Sequence, residues 1–461
     1  MRQSQKTEHK ADRRKRVGMK GQEYSGARST TSGENTAENG TSMMELVLSR
    51  KNLNQAYLRV KRNKGAAGID GMTLEEALPY LKEHRQELLA SLRNGTYKPA
   101  PVKRVEIPKP DGSKRKLGIP TVVDRMIQQA VAQVMMPRFE RVFSDHSYGF
   151  RPHRSAHDAI HRVVSLYNRG YHHVVDLDLK AYFDTVNHDL LMKFIGQYID
   201  DPWLLHLIRR FLTSGVMNDR LFEKTDKGTP QGGNLSPLLA NIYLNELDKL
   251  LTARGHEFVR YADDCNIYVR SRRAGHRVLA SVTRFLEKDL KVTVNREKTQ
   301  VGSPLRLNFL GFSLGVSRNG AYARPSMKTK RRVKRALKQM TKRNRGRSLD
   351  VLFGEIRLKM RGWLQYYGIG HMKSFIQRLD EWLRSRIRQY IWKSWKKIKT
   401  RFKKLRKLGM SEAQAFTCAN TRKGYWRTAH SKTLCYTLTN EKLEHLGLIN
   451  LSKRLQYIQS A

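Results

Sequence analysis

Tyr261-Ala262-Asp263-Asp264 sets two adjacent carboxylates between Phe258-Val259-Arg260 and Cys265-Asn266-Ile267-Tyr268-Val269. Apolar and polar residues alternate on both sides, which predicts a strand, a tight turn and a second strand. Neighbouring carboxylates at such a tip repel each other and resist burial unless a cation sits there, and oxygen ligands on a rigid turn suit Mg²⁺. A bare Asp-Asp is usually an ordinary solvated turn. Three upstream stretches change that reading. Val174-Val175-Asp176-Leu177-Asp178-Leu179 interleaves acids with apolar residues, so as a strand it carries Asp176 and Asp178 on one face. If that strand pairs with the hairpin, Asp178, Asp263 and Asp264 converge, as metal-assisted phosphoryl transfer requires. Asp176 and Asp184 compete as further ligands.

Phe183 lies five positions beyond Asp178, where a ring can close the sugar side of a nucleotide pocket or simply fill the core. In Thr229-Pro230-Gln231-Gly232-Gly233-Asn234-Leu235-Ser236-Pro237 the glycines let backbone approach a ligand and the prolines stiffen both ends. Gln231 can offer an amide near sugar and base; the plainer reading is a strand-to-helix connection. Lys109 and Arg115 flank an Asp111-Gly112 turn, and two cations on a mobile hairpin suit a triphosphate or form a solvated tip.

These residues need a scaffold. Leu53, Ala56, Tyr57 and Val60 recur at helical spacing, and a second helix is expected over Leu74–Leu92. Two short strands are expected in 98–120 around the Asp-Gly turn, then helix through Arg125–Arg141. His172–Leu179 reads as strand, Asp184–Leu212 as helical and Leu238–Leu251 as helix. After the hairpin come a helix near Arg277–Lys291 and short strands at Val292–Val294 and Phe309–Gly315. Mixed elements without regular βαβ repetition predict the α+β class. Past Pro325, Val333, Leu337 and Met340 form an apolar stripe amid Lys330, Arg331, Lys334, Arg335 and Lys338, and two further amphipathic helices follow, which together read as a helical domain with a basic face.

The 461 residues carry 89 Lys and Arg against 41 Asp and Glu, a formal charge of +48. Such an excess predicts a polyanionic partner, nucleic acid first and an anionic membrane surface second; no apolar run approaches a membrane span. Residues 1–43 are polar and basic without the apolar core of a signal peptide, and read as a disordered arm. Cys265, Cys418 and Cys435 are scattered, offer no zinc pair or disulfide framework, and suit a reducing cytoplasm.

The order of motifs resembles reverse transcriptases, in detail those encoded by bacterial group II introns. The segments that carry the likeness are Asn63–Gly71, Val105–Gly112 with Leu117-Gly118-Ile119-Pro120, Ser147-Tyr148-Gly149-Phe150-Arg151-Pro152, Thr229–Gly233, Tyr261–Asp264 and Phe309-Leu310-Gly311-Phe312. Arg361-Gly362-Trp363 and Tyr366-Tyr367 resemble the maturase, or thumb, region. The resemblance implies a right-hand polymerase: a helical extension over 44–96, fingers and palm over 97–320, a thumb/maturase domain over 325–408 and a DNA-binding region over 409–461. It implies Asp178, Asp263, Asp264 and the main-chain carbonyl of Leu179 as ligands of two Mg²⁺ ions, with Mn²⁺ able to substitute. It implies Lys109 and Arg115 on the incoming triphosphate, Phe183 as the steric gate against a ribose 2′-OH, and Gln231 as a nucleotide contact. Arg125 lies near the template and Gly311 in the primer grip. Arg59, Lys61 and Arg62 with Lys330, Arg331, Lys334 and Arg335 are candidates to bind intron RNA. The implied partners are an RNA template and primer, deoxynucleoside triphosphates, intron RNA and target DNA, in the cytoplasm and at the nucleoid. Without the paired cysteines of a His-Asn-His nuclease, the chain resembles the short class C type. A domesticated repair or defence enzyme and a splicing-only maturase are the alternatives.

Overall fold

The computed structural model describes residues 42–460, apart from 109–111, 113, 219–220, 231 and 345. The arm up to residue 41, Lys109 and Gln231 therefore lie outside the described residues. Within them the strands are β1 Val102–Pro108, β2 Lys114–Ile119, β3 His173–Leu177, β4 Val216–Asn218, β5 Leu221–Glu223, β6 Glu257–Tyr261, β7 Asp264–Val269, β8 Gln300–Gly302, β9 Phe312–Ser317 and β10 Gly320–Pro325. They form three sheets, ordered β2-β1-β4-β5, β6-β7-β3-β8 and β10-β9.

The β6-β7-β3-β8 sheet is antiparallel throughout. Its strand periodicity sorts side chains onto two faces. Val175, Leu177, Phe258, Cys265 and Ile267 join the main core with the helices Val122–Glu140 and Ser236–Ala253. Val174, Val259 and Tyr268 face the other way, onto Ala159, Ile160 and Val163 of the helix Ala156–Asn168. Both faces of the central strands are covered, and the Asp-Asp turn sits at one end of the sheet.

Val333 and Leu337 of the helix Met327–Met340 pack with Ile356, Met360 and Leu364 of Leu349–Tyr367 and with Leu379, Leu383 and Ile387 of Lys373–Ser394. Met410, Leu434, Leu443, Leu451 and Leu455 belong to the same cluster, so the last fifty residues share a core with these helices. Tyr366 and Tyr367 join this body to the sheets, with ring centroids 5.6 and 5.0 Å from Phe312. Among the described residues no helix is long and apolar enough to cross a membrane.

Several elements differ from the sequence expectation. The helix expected over Leu74–Leu92 is two, Leu74–Glu83 and Arg85–Arg93. His84 stacks on Tyr80 at 4.2 Å, and its backbone leaves the helical basin at φ −94°, ψ 15°. Asp184–Leu212 divides into Tyr182–Thr185, His188–Gly196 and Pro202–Leu212, because Asn187 and Asp201 cap new starts on the amides of Leu190 and Leu204. Strand β3 stops at Leu177, so Asp178 follows the strand rather than lying on it. Val292–Val294 contributes only a bridge, Leu179 to Val294, and β8 supplies the pairing strand instead.

Candidate active site

Tyr261 pairs directly with Asp264, leaving Ala262-Asp263 as a two-residue hairpin turn. Ala262 takes φ +58°, the left-handed conformation such turns demand but which alanine adopts reluctantly. Arg260 holds it there. This guanidinium is fully buried and grips Asp248 through Nε to Oδ1 at 2.7 Å and Nη2 to Oδ2 at 2.5 Å. Its Nη1 donates to the Ala262 carbonyl and to Asn241 Oδ1, each at 2.9 Å. Asn241 in turn donates to the Gly149 carbonyl at 2.8 Å. The Ser147–Phe150 segment lies along the outer edge of β6, where Tyr148 N donates to Arg260 O at 2.8 Å. A Cβ on Gly149 would stand 2.3 Å from Ala262 N, so only glycine fits behind the turn.

Asp178 reaches the same sheet end from β3, through the register Leu177–Cys265. The 293–299 segment cradles it. Asn295 donates from Nδ2 to Asp178 Oδ2 at 2.8 Å, Thr299 Oγ1 accepts from Asp178 N at 3.1 Å, and Lys298 Nζ stands 3.9 Å from Oδ2. The carboxylates feel one another. Burial, then the charge of Asp178, pushes Asp176 up to about 6. Burial, then Asp263, Asp176 and Asp178, pushes Asp264 up to about 6. Asp263 is raised by burial and by Asp178, against the pull of Arg115 and Arg260. Strand β2 thus brings Arg115 within electrostatic reach of the Asp263 carboxylate. Among the described residues no group of three or more His, Cys, Asp or Glu stands in metal-holding positions. The donor set is nevertheless all oxygen, as a hard divalent cation prefers, and the raised carboxyls are those a cation would relieve.

Phe183 is half-buried on the short helix Tyr182–Thr185, beside the main core. Its carbonyl accepts from Thr229 N at 2.6 Å, which ties it to the glycine-rich loop. A Cβ on Gly232 would meet the Gly118 carbonyl of β2 at 2.5 Å, so that loop lies directly against the β1–β2 hairpin. Leu310 and Gly311, at φ +49° and +81°, form the turn before β9. Gly311 O accepts from Thr329 Oγ1 at 2.9 Å and Leu310 O from Tyr366 at 3.0 Å. Arg125 is buried, with Nη2 donating to Ala66 O at 2.7 Å, and fastens the Gly65–Ala66 loop.

The two basic groups stand apart from this cluster. Arg59 is half-buried and Lys61 and Arg62 are exposed at the end of the helix Arg50–Arg62. On Met327–Met340, Lys330 and Lys334 lie over the rings of Phe375 and Trp382 at 5.3 and 5.2 Å, while Arg331 and Arg335 are exposed. Sequence reasoning missed Asp248 and Asn241, and the Asn295, Lys298 and Thr299 cradle. It also missed what Arg260 does. An Asp at the buried face of an apolar helix was the available signal for the first, since such a charge needs a partner.

The family profile described as "Reverse transcriptase (RNA-dependent DNA polymerase)" matches residues 107–314, and "Group II intron, maturase-specific domain" matches 330–409. The group II intron-encoded protein LtrA of Lactococcus lactis subsp. cremoris is 41% identical over 206 residues, 44% of this chain and 34% of that protein. The chain thus matches about a third of that relative's length. Protein YkfC of Escherichia coli K12 is 33% identical over 362 residues, 68% of this chain and 92% of its own. An uncharacterized 91 kDa protein in the cob intron of Schizosaccharomyces pombe is 31% identical over 221 residues, 46% of this chain and 26% of its own. With both profiles in their expected order and nearly all of YkfC matched, the chain belongs to the group II intron-encoded reverse transcriptase and maturase family.

Proposed function

We propose that this chain is an RNA-directed DNA polymerase that also binds intron RNA as a splicing maturase. The observation that carries the first part is the convergence of Asp178, Asp263 and Asp264 at one sheet end, with Arg115 near enough to draw on Asp263. Asp178, Asp263, Asp264 and the Leu179 carbonyl would hold Mg²⁺, with Mn²⁺ a substitute; when bound, the cations supply neutralisation of phosphate charge and a lowered pKa for the primer hydroxyl. The chain's own residues do the rest. Arg115, with Lys109, clamps the triphosphate. The loop containing Gln231 borders sugar and base, and Phe183, fixed to that loop through Thr229, occupies the space of a 2′-hydroxyl. Gly311 keeps a turn, pinned by Thr329, against the primer end. Arg125 serves the template side by fastening the Gly65–Ala66 loop. The substrates are a primed RNA template and deoxynucleoside triphosphates.

For the maturase part, Arg59, Lys61 and Arg62 and the face with Lys330, Arg331, Lys334 and Arg335 lie away from the carboxylates, on two separate bodies of the fold. Residues 409–461 would meet target DNA, with 1–43 as a basic arm, 44–96 and 97–320 as extension, fingers and palm, and 325–408 as thumb; the setting is the bacterial cytoplasm and nucleoid. Extension of a DNA primer on an RNA template with deoxynucleotides and Mg²⁺ over a range of salt tests the polymerase. Product should form; none at any salt, with RNA binding intact, would leave a splicing-only protein.

A further inference from the structure

We propose that the end of the β6-β7-β3 sheet opposite the carboxylates is a second RNA-binding surface, which grips phosphate backbone outside the polymerase cleft. The proposal rests on the RNA-binding reading above. Where β6 begins and β7 ends, an open cleft of about 490 Å³ is lined by Tyr171, His256, Tyr268, Arg270, Arg277 and Ser281, among others. Five strand steps, from Asp264 to Val269, separate it from the hairpin turn, roughly 17 Å at the usual rise.

The charge there is large and one-sided. Arg254, Arg270, Arg272, Arg273 and Arg277 are all exposed, and among the described residues none of them makes an ion pair. The cleft's own carboxylate, Glu257, is already matched by Arg162 at 2.6 Å and Arg169 at 2.8 Å. The free guanidiniums are also positioned. Arg270 lies 5.0 Å from the Tyr171 ring, and Arg254 donates to Ser281 Oγ at 2.7 Å. Arg272, Arg273 and Arg277 sit on the first turns of the helix Arg272–Lys288, which packs on the sheet. Like charges crowded on rigid elements repel one another, and a polyanion relieves that repulsion. Arginine forks match phosphate oxygens two at a time, which a diffuse lysine coat would not. Among the described residues no exposed large apolar side chain belongs to this patch, which presents arginines rather than the apolar face that inserts into a lipid surface. RNA is the polyanion the maturase family handles, and a cleft beyond the end of the sheet can take it while the polymerase cleft stays free.

The test uses the full chain with Arg270→Gln and Arg277→Gln together. The probes are a transfer RNA transcript and a DNA duplex of equal length, titrated across a series of salt concentrations, beside extension of a short primed template that fills only the polymerase cleft. The slope of log K against log salt for the RNA should become shallower by about 1.4–1.8, from two phosphate contacts at roughly 0.7–0.9 each. Short-template extension should be unchanged, and the paired Lys substitutions should restore most of the slope. An unchanged slope overturns the proposal, as does a loss on duplex DNA equal to that on RNA, or a parallel fall in short-template extension. Wild-type protein that binds RNA with the full slope yet extends nothing would refute the polymerase reading and leave this surface standing.

Discussion

Arg260 supports both the fold and the turn that carries Asp263, and a double substitution separates the two roles. Removing one partner of a fully buried ion pair strands the other, at a cost of about 3–5 kcal/mol. Arg260→Met and Asp248→Leu should each destabilise by that much in denaturant unfolding. Made together they leave no buried charge, so most of the loss should return. A residual of about 1–3 kcal/mol is expected, because Asn241 Oδ1 and the Ala262 carbonyl lose a donor. Catalysis should not return with stability. A charged hydrogen bond is worth about 1.5–3 kcal/mol, and its loss at the left-handed Ala262 should slow single-turnover primer extension roughly 10–150-fold. The refolded double variant should also need more Mg²⁺ to reach its plateau. If it regains stability and extends at the wild-type rate, Arg260 is fold support alone and the positioning argument is wrong.

Titration of the carboxylates gives a second test. Asp176 and Asp264, raised to about 6, keep protons that the unfolded chain releases near its ordinary carboxylate range, so the metal-free protein should lose stability as pH rises from about 4 through 6. Asp264→Asn should therefore raise the melting temperature of metal-free protein at pH 7.5 but not at pH 4. Discounted for the exposure of Asp264, the effect is on the order of 1 kcal/mol; equal shifts at both pH values would contradict it. Added Mg²⁺ should raise the melting temperature more at pH 7.5 than at pH 5, and a reversed order would argue against a cation among these carboxylates. Phe183→Val should increase ribonucleotide incorporation relative to deoxynucleotide in extension assays, whereas unchanged sugar preference in soluble variant would make Phe183 a core residue. Neutralising Lys330, Arg331, Lys334 and Arg335 should flatten the salt dependence of RNA binding, with Arg331 and Arg335 contributing most because the two lysines lie over aromatic rings; an unaltered slope would show a merely solvated face.

The parts legible in the sequence were those governed by local pattern. The hairpin around Asp263 was visible because alternation and a two-residue turn are short-range signals, and the β1–β2 hairpin announced itself through Asp-Gly. The β9–β10 hairpin, turning at Arg318-Asn319 between the paired Ser317 and Gly320, carries the same kind of signal in Asn319-Gly320, where the sequence reading has only a strand at Phe309–Gly315. What stayed hidden depends on distant residues. Nothing local marks Asn295 and Thr299 as partners of Asp178, and Val292–Val294 forms a bridge to Leu179 rather than a strand. Arg260 reads as a polar residue in an alternating strand, and only the folded helix Ser236–Ala253 reveals Asp248 as its counter-charge. Arg125 is singled out only by resemblance, and nothing local shows that its guanidinium bonds Ala66, a partner 59 positions away.

In the proposed function the carboxylates at the hairpin end of the sheet perform polymerisation and do not hold the fold together. Primer extension on an RNA template by Asp263→Ala, beside wild type and with unfolding measured on the same preparations, tests it most directly. DNA synthesis should disappear, because a metal ligand lost from phosphoryl transfer costs several kcal/mol, about 3 or more in the barrier. Metal-free stability should be unchanged or higher, because a raised carboxyl has been removed from its neighbours. Substantial synthesis by a well-folded Asp263→Ala protein would contradict it.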